Sequence, residues 1–206
     1  MPVIINGSGS VTGLSVGGLP DGTVDADTLA SNAVTSAKLA SGVGGKILQV
    51  QNTTVSDIST VSCNSSFEDT SITCTLTPSS SSSKILVNLT VTGEGNAANQ
   101  RSFTHRIKKV ISGGATSYIQ GATVSNRVSL LGSTGDLTSD ATTSASSFSV
   151  SNLMDTAGAT AAITYTLQIT YQSGSGGGTY YINRNVTDSS GSPRFLSWIT
   201  LMEVAA

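Results

Sequence analysis

Acid–base, thiol and metal chemistry have little to draw on in this chain of 206 residues, which holds one histidine, two cysteines and 12 carboxylates. His105 alternates with Phe103 and Ile107 on one strand face, which suits a packed, hydrogen-bonded ring. Its other use would be at the axis of a symmetric trimer, where three copies converge on a metal or anion. No Cys or carboxylate stands beside it at ligand spacing. Gly13-Leu-Ser-Val-Gly17 matches the nucleophile-elbow pattern, which needs a strand before it, a helix after it and a histidine within reach. It falls instead in a glycine-rich stretch, so no catalysis is expected of Ser15. Asp21, Asp25 and Asp27 resemble part of a calcium loop but lack its repeat, and Asp25 or Asp27 reads better as a helix cap. Glu68, Glu94 and Glu203 form no recognisable acid/base pair. The glycine-rich stretches 7–13 and 174–178 lack the phosphate-loop pattern, and Thr179-Tyr180-Tyr181 makes the second a hairpin loop. No catalytic residue, metal or cofactor is expected.

Two features suit contact rather than chemistry. Thr92–Arg101, with Asn96, Asn99 and Arg101, and the loop from Ser173 to Thr179, followed by Tyr180 and Tyr181, pair flexible polar chain with aromatic rings. Such loops suit glycan or protein contact, or are plain hairpin turns. Cys63 and Cys74 flank a ten-residue connection and would face each other across a hairpin. The opening MPVIINGSGS has no charged n-region and no apolar h-region, so synthesis in a reducing cytoplasm and free thiols are expected, with a disulfide open to form after release from the cell.

These residues must be positioned by a chain of unusual composition. It has 35 serines, 28 threonines and 22 glycines, against 10 basic and 12 acidic side chains. Lysine and glutamate total eight, which excludes a surface of exposed helices. A net charge of −2 offers no basic field for a phosphate backbone, so nucleic acid is not an expected partner. No apolar run approaches the ~18 residues of a membrane-spanning helix, so no membrane insertion is expected. With 37% hydrophobic residues the chain has enough for a core, which argues against disorder.

Position divides that composition. Residues 1–45 hold no aromatic side chain, yet Leu14, Leu19, Val24, Leu29, Val34 and Leu39 recur every fifth residue. A period of five fits neither the 3.6 of a helix nor the 2 of a strand, so one regular face cannot bury them. An arm that winds around partner chains can, as can turns with a short helix near 27–41. A flexible linker is the plainer reading. From Lys46 the period becomes 2. Ala161, Ile163, Tyr165, Leu167, Ile169 and Tyr171 alternate with polar residues, predicting one buried and one wet face, and Ile85, Val87, Leu89 and Val91 do likewise. Further strands are predicted at 46–51, 58–63, 70–77, 103–111, 117–124, 146–152, 179–186 and 195–204. Breakers are read at Pro78 with serines 79–83, Gly93–Gly95, Gly113–Gly114, 132–144, 174–178 and 189–193. This predicts an all-β antiparallel β-sandwich, jelly-roll-like, spanning 46–206. The last strand is apolar on both sides: Phe195, Ile199 and Leu201 one way, Leu196, Trp198, Met202 and Val204 the other. A second apolar face needs a cover, and another copy of the chain is the economical one.

Residues 17–40, Gly-Gly-Leu-Pro-Asp-Gly-Thr-Val-Asp-Ala-Asp-Thr-Leu-Ala-Ser-Asn-Ala-Val-Thr-Ser-Ala-Lys-Leu-Ala, resemble the attachment and stalk segments of tailed-phage fibre proteins, cyanophages included. Trp198-Ile-Thr-Leu-Met-Glu-Val204 is similar to the closing strand of the compact trimeric heads on such proteins. The resemblance implies a homotrimeric knob on the virion exterior, carried by an N-terminal anchor. Such knobs serve as capsid-decorating (cement) proteins and at the tips of tail fibres or tail spikes. The implied partners are the chain's own copies, the major capsid protein and a host surface glycan or protein. A tail fibre needs a long shaft, whereas 45 residues reach at most about 160 Å fully extended, so capsid decoration is the leading expectation and the tail-fibre knob the alternative.

Overall fold

The structure, a computed structural model, describes residues 4–5, 11–12, 29–31, 33–35, 38, 46–64, 66–97, 102–122, 129–134, 145–171 and 177–206. The chain divides into two compact units, Met1–Gly45 and Lys46–Ala206. In the first, β1 (Ile4–Ile5) pairs antiparallel with β2 (Val11–Thr12). Turns close where Ala33 N–H donates to Ala30 O and Lys38 N–H to Thr35 O, both at 2.9 Å. Of the five-residue series, Leu29 and Val34 are exposed, and Leu14, Leu19, Val24 and Leu39 lie outside the described residues, as do Ser15, Asp21, Asp25 and Asp27.

The second unit is all β, built as two antiparallel sheets packed against each other. In chain order its strands are β3 (Ile47–Val55), β4 (Ser59–Cys63), β5 (Glu68–Leu76), β6 (Lys84–Ala97), β7 (Phe103–Ile111), β8 (Thr116–Ile119), β9 (Gly132–Thr134), β10 (Ser146–Thr156), β11 (Ile163–Tyr171), β12 (Gly178–Ile182) and β13 (Ser197–Val204). The six-stranded sheet is organised on β6. β13 pairs with its residues 84–90, β10 with 84–93 and β12 with 93–97, while β3 extends β13 and β4 extends β12. The five-stranded sheet runs β5-β11-β7-β8, with β9 also on β7.

Alternation explains the core. Ile85, Val87, Leu89 and Val91 of β6 and Ile199 and Leu201 of β13 point to one side, and Ile163, Tyr165, Leu167 and Ile169 of β11 point back at them; none is more than 1% exposed. At one end the core turns aromatic. Phe103 packs on Tyr171 and Tyr180 with ring centres 5.9 and 5.4 Å apart. Close neighbours here, one a backbone carbonyl and one a ring, explain two glycines that the sequence reads as strand breakers. Gly93 and Gly95 lie inside β6, where a Cβ would stand 2.2 Å from Tyr181 O at the first and 2.0 Å from the Phe103 ring at the second. They admit a close neighbour instead of ending the strand. Gly132 of β9, within a stretch read as a break, does the same for Phe148 of β10, whose ring a Cβ would meet at 2.3 Å.

Two further expectations are corrected. The polar side of β11 is not wet throughout, since Thr166, Gln168 and Thr170 are 8%, 5% and 3% exposed. The strand expected over 179–186 stops at Ile182 because Asn183 takes φ 63°, a left-handed conformation that asparagine tolerates. Its side chain then holds neighbours together, donating to Val55 O at 2.7 Å and Asp57 O at 3.0 Å and accepting from Ser197 Oγ at 2.7 Å.

Glu203, 1% exposed, points inward at the end of β13. It accepts from Gln49 Nε2 at 2.6 Å and from Ser79 N and Oγ at 2.8 and 2.6 Å, tying β3 and the serine tract to the last strand. Burial pushes its carboxyl up, but hydrogen bonds from Gln49, Ser79 and Ser83 outweigh it and draw the pKa down to about 2. A folded-state value below the ordinary 4.5 means a stability contribution that is complete above pH ~4.5 and lost as pH falls toward 2. Glu203→Gln is therefore expected to cost about 2 kcal/mol at neutral pH and to flatten the acid limb of the stability curve, measured by urea denaturation. An unchanged acid limb contradicts this role. Gly95→Ala is expected to cost about 1–3 kcal/mol or more by overpacking, whereas Gly191→Ala, with open space around it, is expected to be near neutral in the same assay.

Candidate functional site

Residues with chemical capacity are mostly inside. His105 is fully buried on β7, stacked on Phe148 with ring centres 4.4 Å apart, and its Nε2 pairs with Thr134 Oγ1 at 3.1 Å. Burial lowers its pKa to about 3, so the ring is neutral, and enclosed there it cannot converge with its copies on a symmetry axis. Cys63 and Cys74 are both free and buried. They do not face across a hairpin, because β4 pairs with β12 in one sheet and β5 with β11 in the other. Burial, helped by the charge of Glu68, pushes the Cys63 thiol up to about 12, which leaves it an inert hydrophobe. No group of three or more His, Cys, Asp or Glu that would hold a metal occurs among the described residues.

The contact residues read from the loops also move. Tyr180 is 1% exposed, its ring against Phe103 and edge-on to His105, so it is a core residue. Tyr181 is half-buried under the Arg184 guanidinium, 4.3 Å from its ring centre. Asn96 is exposed beside Thr179, and Asn99 and Arg101 lie outside the described residues.

What remains accessible is the outward side of each sheet, and the two sides differ. On the five-stranded sheet, threonines pair across strands, with Thr75 and Thr164 hydroxyls 2.8 Å apart and Thr73 and Thr166 3.0 Å apart. Lys108 pairs there with Asp69. Arg106 lies between the rings of Phe67 and Tyr118, a stack absent from the sequence expectations because Phe67 precedes β5 and no periodicity links it to β7.

The six-stranded sheet has hydroxyl pairs too, Thr90 with Ser149 at 3.0 Å and Thr92 with Ser147 at 2.8 Å, but it adds an apolar row. Val50 of β3 stands opposite Met202 of β13, Met202 opposite Leu86 of β6, and Leu86 opposite Met154 of β10. Four strands thus carry four apolar side chains in line, Val50 and Met154 each 52% exposed and Leu86 and Met202 half-buried. Val204, opposite Ile47, extends the row on one side, while on the other the polar line Asn52–Thr200–Asn88 separates it from Trp198, which stands between Thr54 and Thr90. Trp198, Met202 and Val204 therefore share one outward face, while Leu196, 57% exposed, precedes the strand. β3 itself is uncharged and, among the described residues, pairs with β13 alone, so a sheet edge borders this face. Exposed apolar rows are a feature of surfaces through which proteins associate.

No protein-family model matches the chain, and no curated protein matches it in sequence.

Trp198 is the one tryptophan in the chain, so its fluorescence reports on this face alone. Raising the protein concentration is expected to blue-shift its emission and protect it from acrylamide. Met202→Lys is expected to abolish both effects and weaken association about 30-fold or more, with melting within a few degrees of wild type. Emission independent of concentration contradicts an association role for the face.

Proposed function

We propose that this chain is a structural protein of a tailed-phage virion, a homotrimer that coats the outside of the head as a capsid-decoration protein. The observation that carries this reading is the apolar row Val50–Met202–Leu86–Met154 on the outward side of the six-stranded sheet. A surface like this is stable in water when copies of the chain cover it, and a closed ring of three covers it without leaving a growing end.

The strand order supports a jelly roll. Number the eight principal strands in chain order as β3, β5, β6, β7, β8, β10, β11 and β13. One sheet then reads first-eighth-third-sixth and the other second-seventh-fourth-fifth, the order of a double-sheet jelly roll, with β4 and β12 added on the far half of β6. The arm would supply the attachment. Its recurring apolar residues, Leu29 and Val34 exposed among them, lie in a glycine- and alanine-rich sequence whose small side chains allow close approach to another surface, and residues 17–40 resemble phage attachment segments. Binding of an ordered arm together with symmetric burial would reinforce neighbouring subunits of the major capsid protein without any chemistry.

The alternative, a receptor-binding knob at a tail-fibre or tail-spike tip, draws on a different observation: the polar and aromatic outward side around Arg106 and Tyr118, which suits adhesion. Removing residues 1–45 is expected to abolish binding to shells that lack the protein while leaving a folded trimer. Labelled antibody is expected to decorate the whole head. Truncated protein that still saturates shells overturns the decoration reading, and label confined to fibre tips replaces it with the receptor-binding one.

A further inference from the structure

Arg106 on the five-stranded sheet is held rigid on every side but one. Its guanidinium carbon lies 3.9 Å from the ring centre of Phe67 and 3.7 Å from that of Tyr118, so a π system is stacked on each flat face. Nε donates to Gln168 Oε1 at 2.7 Å and Nη1 to Gln120 Oε1 at 3.4 Å. Gln168, 5% exposed, is fixed in turn by donating to Asp69 Oδ1 at 2.8 Å, and Lys108 pairs with Asp69 Oδ2. A guanidinium carries five N–H donors, and two are used here, leaving three without a partner among the described residues. Asp69 offsets one of the two cations, so the cluster keeps an excess positive charge.

A planar donor fork with its rotamer already selected is matched to a carboxylate, which it takes with two parallel hydrogen bonds and little further loss of entropy. The surroundings narrow the ligand. They are the Gln120 amide, the exposed Thr116 two residues from Tyr118 on β8, and the Tyr118 ring itself, 46% exposed, without the fully enclosed apolar centre of a protein hot spot. An amide, a hydroxyl and an aromatic ring on one face fit a sugar, polar at its rim and apolar on its face.

We propose that the Arg106 face binds an acidic saccharide, the carboxylate on the free edge of the guanidinium and the sugar ring against Tyr118. This stands on the geometry of one sheet and does not rest on the shell-binding reading, since the free protein suffices to test it. Calorimetric titration of the full chain with a galacturonic-acid oligomer is expected to show binding, with the matching neutral galactose oligomer at least 10-fold weaker. Arg106→Lys keeps the charge but loses the fork, and is expected to weaken binding of the acidic oligomer 10-fold or more with unchanged melting. Tyr118→Ala, at a half-exposed position, gives a second variant that leaves the core intact. No binding of the acidic oligomer at millimolar concentration overturns the proposal, as does equal binding by Arg106→Lys. A poly-glutamate peptide that binds as tightly as the oligomer overturns the saccharide in favour of a protein carboxylate.

Discussion

Ile199 and Leu201 are buried because they meet the inner face of the opposite sheet, and their burial sets the parity of the whole last strand. Side chains alternate strictly along a strand, so a one-residue slip would carry both into water and lose about 1.5–3 kcal/mol for each. With that parity fixed, Trp198, Met202 and Val204 have no choice but to face outward. The same rule acts on β6, where burying Ile85, Val87, Leu89 and Val91 turns Leu86 out beside Met202. The exposed apolar row is thus a consequence of how the core is built, and what the residue types decide is that Val50, Met202, Leu86 and Met154 fill one line of an outward side whose other positions include Asn52, Thr90 and Thr200.

Scarce charge fits the same picture. Of 22 charged side chains, several sit inside as struts. Glu203 gathers Gln49 and the serine tract, and Glu94, 5% exposed, accepts Val186 N–H at 2.8 Å. Lys109 crosses from β7 to Asp155 of β10 at 2.7 Å, and Tyr165 OH donates to the same carboxylate at 2.8 Å, linking the two sheets. Each of these groups has partners, as a charge removed from water requires.

Strand positions were legible because alternation is a local signal, and the inward pattern of 84–92 and 163–171 survives in the structure. Spatial neighbours were not. Gly93 and Gly95 signal a break by composition, and only the Phe103 and Tyr180 rings beside them show that they exist to make room. Tyr180 and Tyr181 are adjacent in sequence beside a glycine-rich loop, yet parity sends the first into the core and leaves the second under Arg184. Cys63 and Cys74 suggest a hairpin by spacing, and a crossover between sheets undoes it. The Arg106 stack draws on β7, β8 and the segment before β5, a meeting that no local pattern announces.

The second unit therefore offers two outward surfaces, one crossed by the apolar row and the other carrying Arg106, Lys108 and Asp69. Coverage of the first by other copies is the claim on which the assembly account stands. Sedimentation equilibrium of the full chain at micromolar concentration tests it most directly. The expected result is a single species of three times the 20.8 kDa chain mass, and a stable species at 20.8 kDa would contradict the account.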